Sequence, residues 1–318
     1  MKLVKLLTSA CLLLATLAAG GCALEPIGEG PDMTVRVVAT RDFGHEVMFD
    51  ELVEVPSGTS AMAALREVAD TETSYGGAFV NVIDGVSSGY AGTKGTQQDW
   101  FICINGIQSN TGALDYTMHH GDVQRWDFHH WNFRMFIPAI VGDFPEPFLH
   151  GYGGRGEPTV VVYDGDQKQN AEELEATLIG LGVENVSSQP VSELSDHDKQ
   201  NTNLIIVGNS DGEMITELNN VWNRLGFFVH FEDGELEVYT ATGGEAVEYG
   251  PGTGIIQATQ NPWNPKGTGA CENVVWIVSG TDEAGIEDAV EALVNRSDEL
   301  QHAFAVVVTD GEIIKVPQ

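Results

Sequence analysis

Between residues 33 and 131 the apolar spacing changes from two residues to three or four and then back to two, and few folds satisfy that order. Val35, Val37 and Ala39 alternate with Arg36, Val38 and Thr40, which predicts a first strand, and Val47 to Val55 predicts a second. Pro56-Ser57-Gly58-Thr59-Ser60 turns the chain, with Thr59 or Ser60 placed to cap a helix over residues 61–69. That helix puts Met62, Leu65, Val68 and Ala69 on one face, suited to lie across a sheet. Strand patterns return at Phe79 to Ile83, Trp100 to Ile104 and Val123 to Trp131. Asp84-Gly85 and Asn105-Gly106 end two of them, and both residues of such pairs tolerate the positive φ of a tight turn.

Two strands, a helix across them and then more strands is a β-grasp-like order, so the expectation for residues 33–136 is an α+β, β-grasp-like domain. The residues also carry a resemblance. Ser57-Gly58-Thr59-Ser60-Ala61 with Leu65, Tyr75-Gly76-Gly77, Ile83-Asp84-Gly85-Val86, Trp100-Phe101-Ile102-Cys103-Ile104-Asn105-Gly106, and Gly121-Asp122 before Trp126 resemble the transcobalamin-like C-terminal domain family. The resemblance implies a β-grasp module related to the small domain that closes over vitamin B12 in animal cobalamin carriers. Cobalamin, or another corrinoid, is the ligand it implies.

Residues 137–158 read as a connector, rich in proline and glycine (Pro138, Pro145, Pro147), with Phe144, Phe148 and Tyr152 to pack it against a domain. From 159 to 318 strands and helices alternate. Thr159 to Tyr163, Leu204 to Val207, Gly254 to Thr259 and Val274 to Val278 read as strands, and Ala171 to Gly180, Gly212 to Leu225 and Asp282 to Val294 as helices. Short strands flank Asp233-Gly234, and Phe304 to Val308 pairs with Glu312 to Val316 across Asp310-Gly311. This predicts an α/β domain with a mixed, partly parallel sheet.

The start of the chain predicts location. Lys2 and Lys5, an apolar stretch from Leu6 to Ala19 and then Gly20-Gly21-Cys22 resemble the lipobox of bacterial and archaeal lipoproteins. Residues 1–21 would be a lipoprotein signal peptide, Cys22 the lipidated residue and 22–32 a flexible stalk; ordinary secretory cleavage is the rival reading. The protein would then be extracytoplasmic, at the cell surface or in the periplasm, and held to the membrane by its lipid. A formal charge of −32 argues against nucleic acid as a partner. Cys103 and Cys271 remain, expected as two buried thiols with a disulfide as the alternative.

The richest candidate segment is Trp126-Asp127-Phe128-His129-His130-Trp131. Strand alternation places Trp126, Phe128 and His130 on one face and Asp127, His129 and Trp131 on the other, so the adjacent histidines cannot chelate one metal together. One face as core and the other as a domain interface is the structural alternative. Trp100 with Tyr90 and the glycine-rich loop between them offers a platform for a flat ring. Tyr90, Trp100, Trp126, His129, His130 and Trp131 together are the candidate ligand-binding residues.

Elsewhere the signals are weaker. Gly208-Asn209-Ser210-Asp211-Gly212 opens a helix, but Asp211 and Glu213 would repel phosphate. Asp164-Gly165-Asp166 with Asn170 lacks the glycine and closing glutamate of a calcium loop. Asn185-Val186-Ser187 and Asn295-Arg296-Ser297 are glycosylation sequons. Residues 252–257, 261–265 and 276–282 resemble a recurrent segment of archaeal S-layer and related surface proteins. No nucleophile, zinc or nucleotide motif is present, so no enzyme activity is expected; a hydrolase, resting only on the abundant carboxylates, is the third reading. The expectation is a binding protein that captures a small ligand for an ABC-type importer; the alternative is a structural or adhesive envelope protein.

Overall fold

The structure, a computed structural model, describes residues 27–89, 95–244 and 247–318. The leader and Cys22 lie outside the described residues, as does Tyr90. The chain is rich in strand, and its sheets are mixed, with parallel as well as antiparallel pairs.

The first half contains β1 (Asp32–Arg41), β2 (Glu46–Pro56), α1 (Ala61–Arg66), β3 (Thr71–Ser74), β4 (Phe79–Ile83), β5 (Val86–Ser87), β6 (Gln98–Ile104), β7 (Ile107–Gln108) and β8 (Val123–His130). A five-stranded sheet runs in the order β2-β1-β8-β6-β7, in which β1 and β8 are parallel and the other neighbours antiparallel. Helix α1 is shorter than its apolar pattern suggests, because Val68 and Ala69 continue only as a turn. Ser60 caps it, its Oγ accepting from the Ala63 N–H at 3.2 Å. Met62 and Leu65 join Val35, Val37 and Trp126 in one buried cluster.

The second half contains β9 (Thr159–Tyr163), α2 (Lys168–Gly180), β10 (Val186–Pro190), α3 (Asp196–Asn201), β11 (Asn203–Asn209), α4 (Glu213–Asn219), β12 (Val229–Glu232), β13 (Glu235–Val238), β14 (Val247–Tyr249), β15 (Gly254–Gln260), β16 (Val274–Gly280), α5 (Glu283–Asn295), β17 (Ala305–Thr309) and β18 (Glu312–Val316). Seven strands form the order β10-β9-β11-β16-β15-β17-β18, parallel from β10 to β16 and antiparallel beyond. Apolar residues of α2 and α5 share one cluster with Val161 and Ile205, and those of α4 share the other with Val160 and Ile206, so helices lie on both faces.

The halves are joined by packing and by hydrogen bonds. Phe148 and Trp276 stand edge to face at 5.1 Å, and Val141 and Gly142 donate their N–H groups to the carbonyls of Phe304 and Ala303. Cys103 and Cys271 are both buried and free.

Candidate functional site

Strand β8 lies in the middle of the first sheet, paired on both edges, and other parts of the chain pack on each of its faces. On one face Trp126 and Phe128 are 3% and 8% exposed and belong to the core under α1. Trp100 joins them from β6, 6% exposed, with its ring 5.3 Å from Phe128 and its indole N–H donated to the Val86 carbonyl at 3.0 Å. Gln124 is also fully buried on this face, and neither atom of its amide has a partner, nor does the Trp126 indole N–H. A buried polar atom left unpaired costs about 1–3 kcal/mol, so these mark the spot where the module has bonding capacity to spare.

The other face of β8 is the seam with the second half. His129 is 3% exposed and lies between the rings of Phe43 and Phe101, each 4.4 Å away, with Phe304 edge-on at 5.5 Å. Its Nδ1 is 2.7 Å from Asp127 Oδ1. That carboxylate also accepts from the Phe43 and Gly44 N–H groups at 3.1 and 3.0 Å and from the Thr40 hydroxyl at 2.6 Å. Burial works to raise the Asp127 pKa, but His129 and these donors outweigh it and hold the carboxyl below its ordinary range.

The expected aromatic surface is therefore not one surface. Trp100 and Trp126 are core residues, and His129 is sealed in the seam, because α1 packs on one face of β8 and Phe43 and Phe304 on the other. His130 and Trp131 are half-buried at the strand end. The Trp131 indole N–H donates to Asp99 Oδ2 at 2.7 Å, and Ser88 donates its hydroxyl to the other oxygen of Asp99. Alternation alone separated the two faces of β8 but could not say what covers each. Asp99 and Gln124 were not singled out from sequence, since an isolated polar residue inside a strand pattern carries no signal of its own.

The remaining motifs have local roles. His120 Nδ1 accepts from the Thr34 N–H at 3.3 Å, and His119 stands 3.5 Å from buried Asp122. Among the described residues no group of three or more His, Cys, Asp or Glu is arranged to hold a metal ion. Asn261 and Asn264 are buried, and their side chains bond the backbone of Lys199, Trp263 and Lys266. No helix among the described residues is long and apolar enough to cross a membrane.

The family comparison places a likeness in the first half. Residues 58–130 match the family model described as a domain of unknown function, DUF4430. The match runs from the turn before α1 to the last residue of β8. Two solved structures are similar to parts of the chain. Haptocorrin in complex with Cbi is 14% identical over 32% of this chain and 26% of its own, with a TM-score of 0.27. A "putative metal binding protein" from Ruminococcus gnavus is 19% identical over 31% of this chain and 97% of its own, with a TM-score of 0.24. The chain thus spans about a quarter of the haptocorrin chain. No curated protein matches.

Proposed function

We propose that this is an extracytoplasmic, lipid-anchored binding protein whose first half is a β-grasp module of the transcobalamin-like kind, with the second half as a docked α/β domain. The match of residues 58–130 to the DUF4430 model carries the reading. The sheet order supports it: β1 and β8 are adjacent and parallel, each flanked on its other side by an antiparallel strand, and one helix packs on the face. Cys22 is the lipidated residue, and the work of the protein is capture, without catalysis. A corrinoid is the ligand that the sequence resemblance suggests, and an ABC-type importer is the recipient that the anchor suggests. Among the described candidates, the half-buried His130 and Trp131 at the end of β8, where Trp131 is held by Asp99, are the ones a ligand can reach.

A test of the ligand uses the mature protein titrated with cobalamin, following tryptophan fluorescence and the corrinoid absorption bands. Saturable changes in both, weakened by Trp131→Ala, support the corrinoid reading; unchanged signals at high micromolar ligand remove it. Metabolic labelling with a lipid precursor tests the anchor separately, with loss of label in Cys22→Ser as the expected result.

One observation favours a second reading, that of a structural or adhesive envelope protein. Trp100, Trp126 and His129 are spent on the core and the seam, so the aromatic wealth of the module serves packing.

A further inference from the structure

The second half has a cleft that none of the readings above uses. Strand β10 is the edge of the seven-stranded sheet, and its residues alternate between two faces. Val186 packs toward α2 with the apolar cluster there, and Ser188 donates its hydroxyl to Glu175 of that helix. Ser187 and Gln189 point the other way, in register with Val160 and Val162 of β9. On that side α3, six residues long and without a buried residue, borders the strand end. A cavity of about 430 Å³ remains between them, lined from the sheet by Asn185, Ser187 and Gln189 and from α3 by His197 and Asn201, with Glu157 at one end. Its size falls in the ordinary range for small-ligand sites. A second cavity of about 260 Å³, shared through Glu157 and Asn185, continues past the start of β10 toward Leu149 and Gly182. The two make one elongated cleft.

Its chemistry is selective. No Lys or Arg lines either cavity, and Glu157, Glu184 and Asp198 do, so an anion is repelled by the lining as well as by the net charge. The side chains of Asn185, Ser187 and Gln189 make no hydrogen bond within the described structure. Each has both a donor and an acceptor to offer. His197, which also lines the cleft, has its Nδ1 engaged by the Asn201 amide at 3.3 Å. Amides, a hydroxyl, an imidazole nitrogen and carboxylate acceptors along an elongated trough match a chain of hydroxyl groups, each of which donates and accepts once. Polar lining outweighs apolar in both cavities, with Pro158 and Val160 supplying an apolar strip in the larger one.

We propose that this cleft binds a neutral oligosaccharide, with Asn185, Ser187 and Gln189 reading its hydroxyl groups. The second half would then contact a glycan while the first half serves the function proposed above, and the two bindings are separable. The test is calorimetric titration of the full mature chain with neutral hexasaccharides of α-linked glucose, β-linked glucose and β-linked N-acetylglucosamine. One of them should bind, with an affinity that holds between about 50 and about 500 mM salt because no charge is shared. Asn185→Ala and Gln189→Ala should each weaken it about tenfold, the loss of one or two hydrogen bonds, with thermal stability unchanged because both side chains are free of internal partners. No binding of any of the three at about 10 mM, or binding indifferent to both variants, overturns the proposal. So does salt-sensitive binding of a lysine-rich peptide in place of the sugars, since that would make the cleft an acidic docking groove.

Discussion

Arg125 is a cation 1% exposed in the middle of the molecule, and its two side-chain partners decide how that is tolerated. Its guanidinium meets both oxygens of Asp143, which is 4% exposed, and Nη1 reaches His302 Nδ1 at 2.9 Å. Arginine can only donate, so Nδ1 must be the acceptor and the imidazole proton sits on Nε2, which faces Asp50 at 3.6 Å. Burial first and the Arg125 charge second push the His302 pKa down to about 4, against the opposing pull of Asp50 and Asp143; Lys315 adds to the depression. The folded protein therefore resists protonation there between pH 6.5 and about 4, while the unfolded chain takes up the proton. Stability contributed by neutral His302 should be complete above pH 6.5, fall as the pH drops through that window and level off below about 4. Urea unfolding of wild type and His302→Asn across pH 4–7 reads this, Asn keeping an acceptor near the Nδ1 position. The wild-type curve should lose on the order of 2 kcal/mol more than the variant; parallel curves would contradict the assignment. None of this was legible in sequence, because Arg125 and His302 are 177 residues apart and each alone looks like a surface residue.

At the scale of elements, what the sequence showed best was where chain direction reverses. Asp84-Gly85, Asn105-Gly106, Asp233-Gly234 and Asp310-Gly311 all have positive φ at both residues and join paired strands, since the conformational demand is met by two adjacent residues and needs no distant partner. Strand β10 and helix α3 went unseen for the opposite reason. Val186-Ser187-Ser188-Gln189-Pro190 lies at an edge with half its positions open, and α3 has no apolar face to give a period. Close backbone contact was equally hidden. A Cβ placed on Gly285 in α5 would stand 2.3 Å from the Thr253 carbonyl oxygen, and one on Gly254 would stand 2.2 Å from the Gly285 oxygen, so the helix rests on bare backbone of β15. Glycine to alanine inside a helix usually stabilises by about 1 kcal/mol. Here the sign should reverse: Gly285→Ala is expected to destabilise by on the order of 3 kcal/mol, because backbone cannot move aside as a side chain can. Thermal melts decide it, and a raised melting temperature would mean that α5 is free to lift. The same contact accounts for Gly280, where a Cβ would stand 2.6 Å from the Gly285 carbonyl carbon, whereas Gly252 has open space and is required by its positive φ.

For the whole molecule the question is whether two sheets with separate patterns unfold as one body. The turn between β1 and β2 bears on it directly. Asp127 accepts the N–H groups of Phe43 and Gly44, which fixes the turn so that Phe43 leaves the first sheet and enters the second half, where it is fully buried. There it meets Phe228 and Phe304 edge to face at 5.2 and 5.3 Å and stacks on His129. Lys315 on β18 closes the same corner by donating to the Gly44 carbonyl. A plug of this kind couples the halves, since removing it leaves a cavity at the seam and not within either sheet. Phe43→Ala should cost about 3–5 kcal/mol in total stability. Its more diagnostic effect should be on cooperativity: the wild type is expected to melt in one calorimetric transition whose van't Hoff and calorimetric enthalpies agree, and the variant in two. Phe43→Leu, which keeps most of the volume, should restore the single transition at a somewhat lower temperature. A wild type that already melts in two steps, or a Phe43→Ala variant that keeps one transition at the original temperature, would show that the seam is contact without coupling. The Arg125 network and the Phe43 plug would then hold two independent domains side by side.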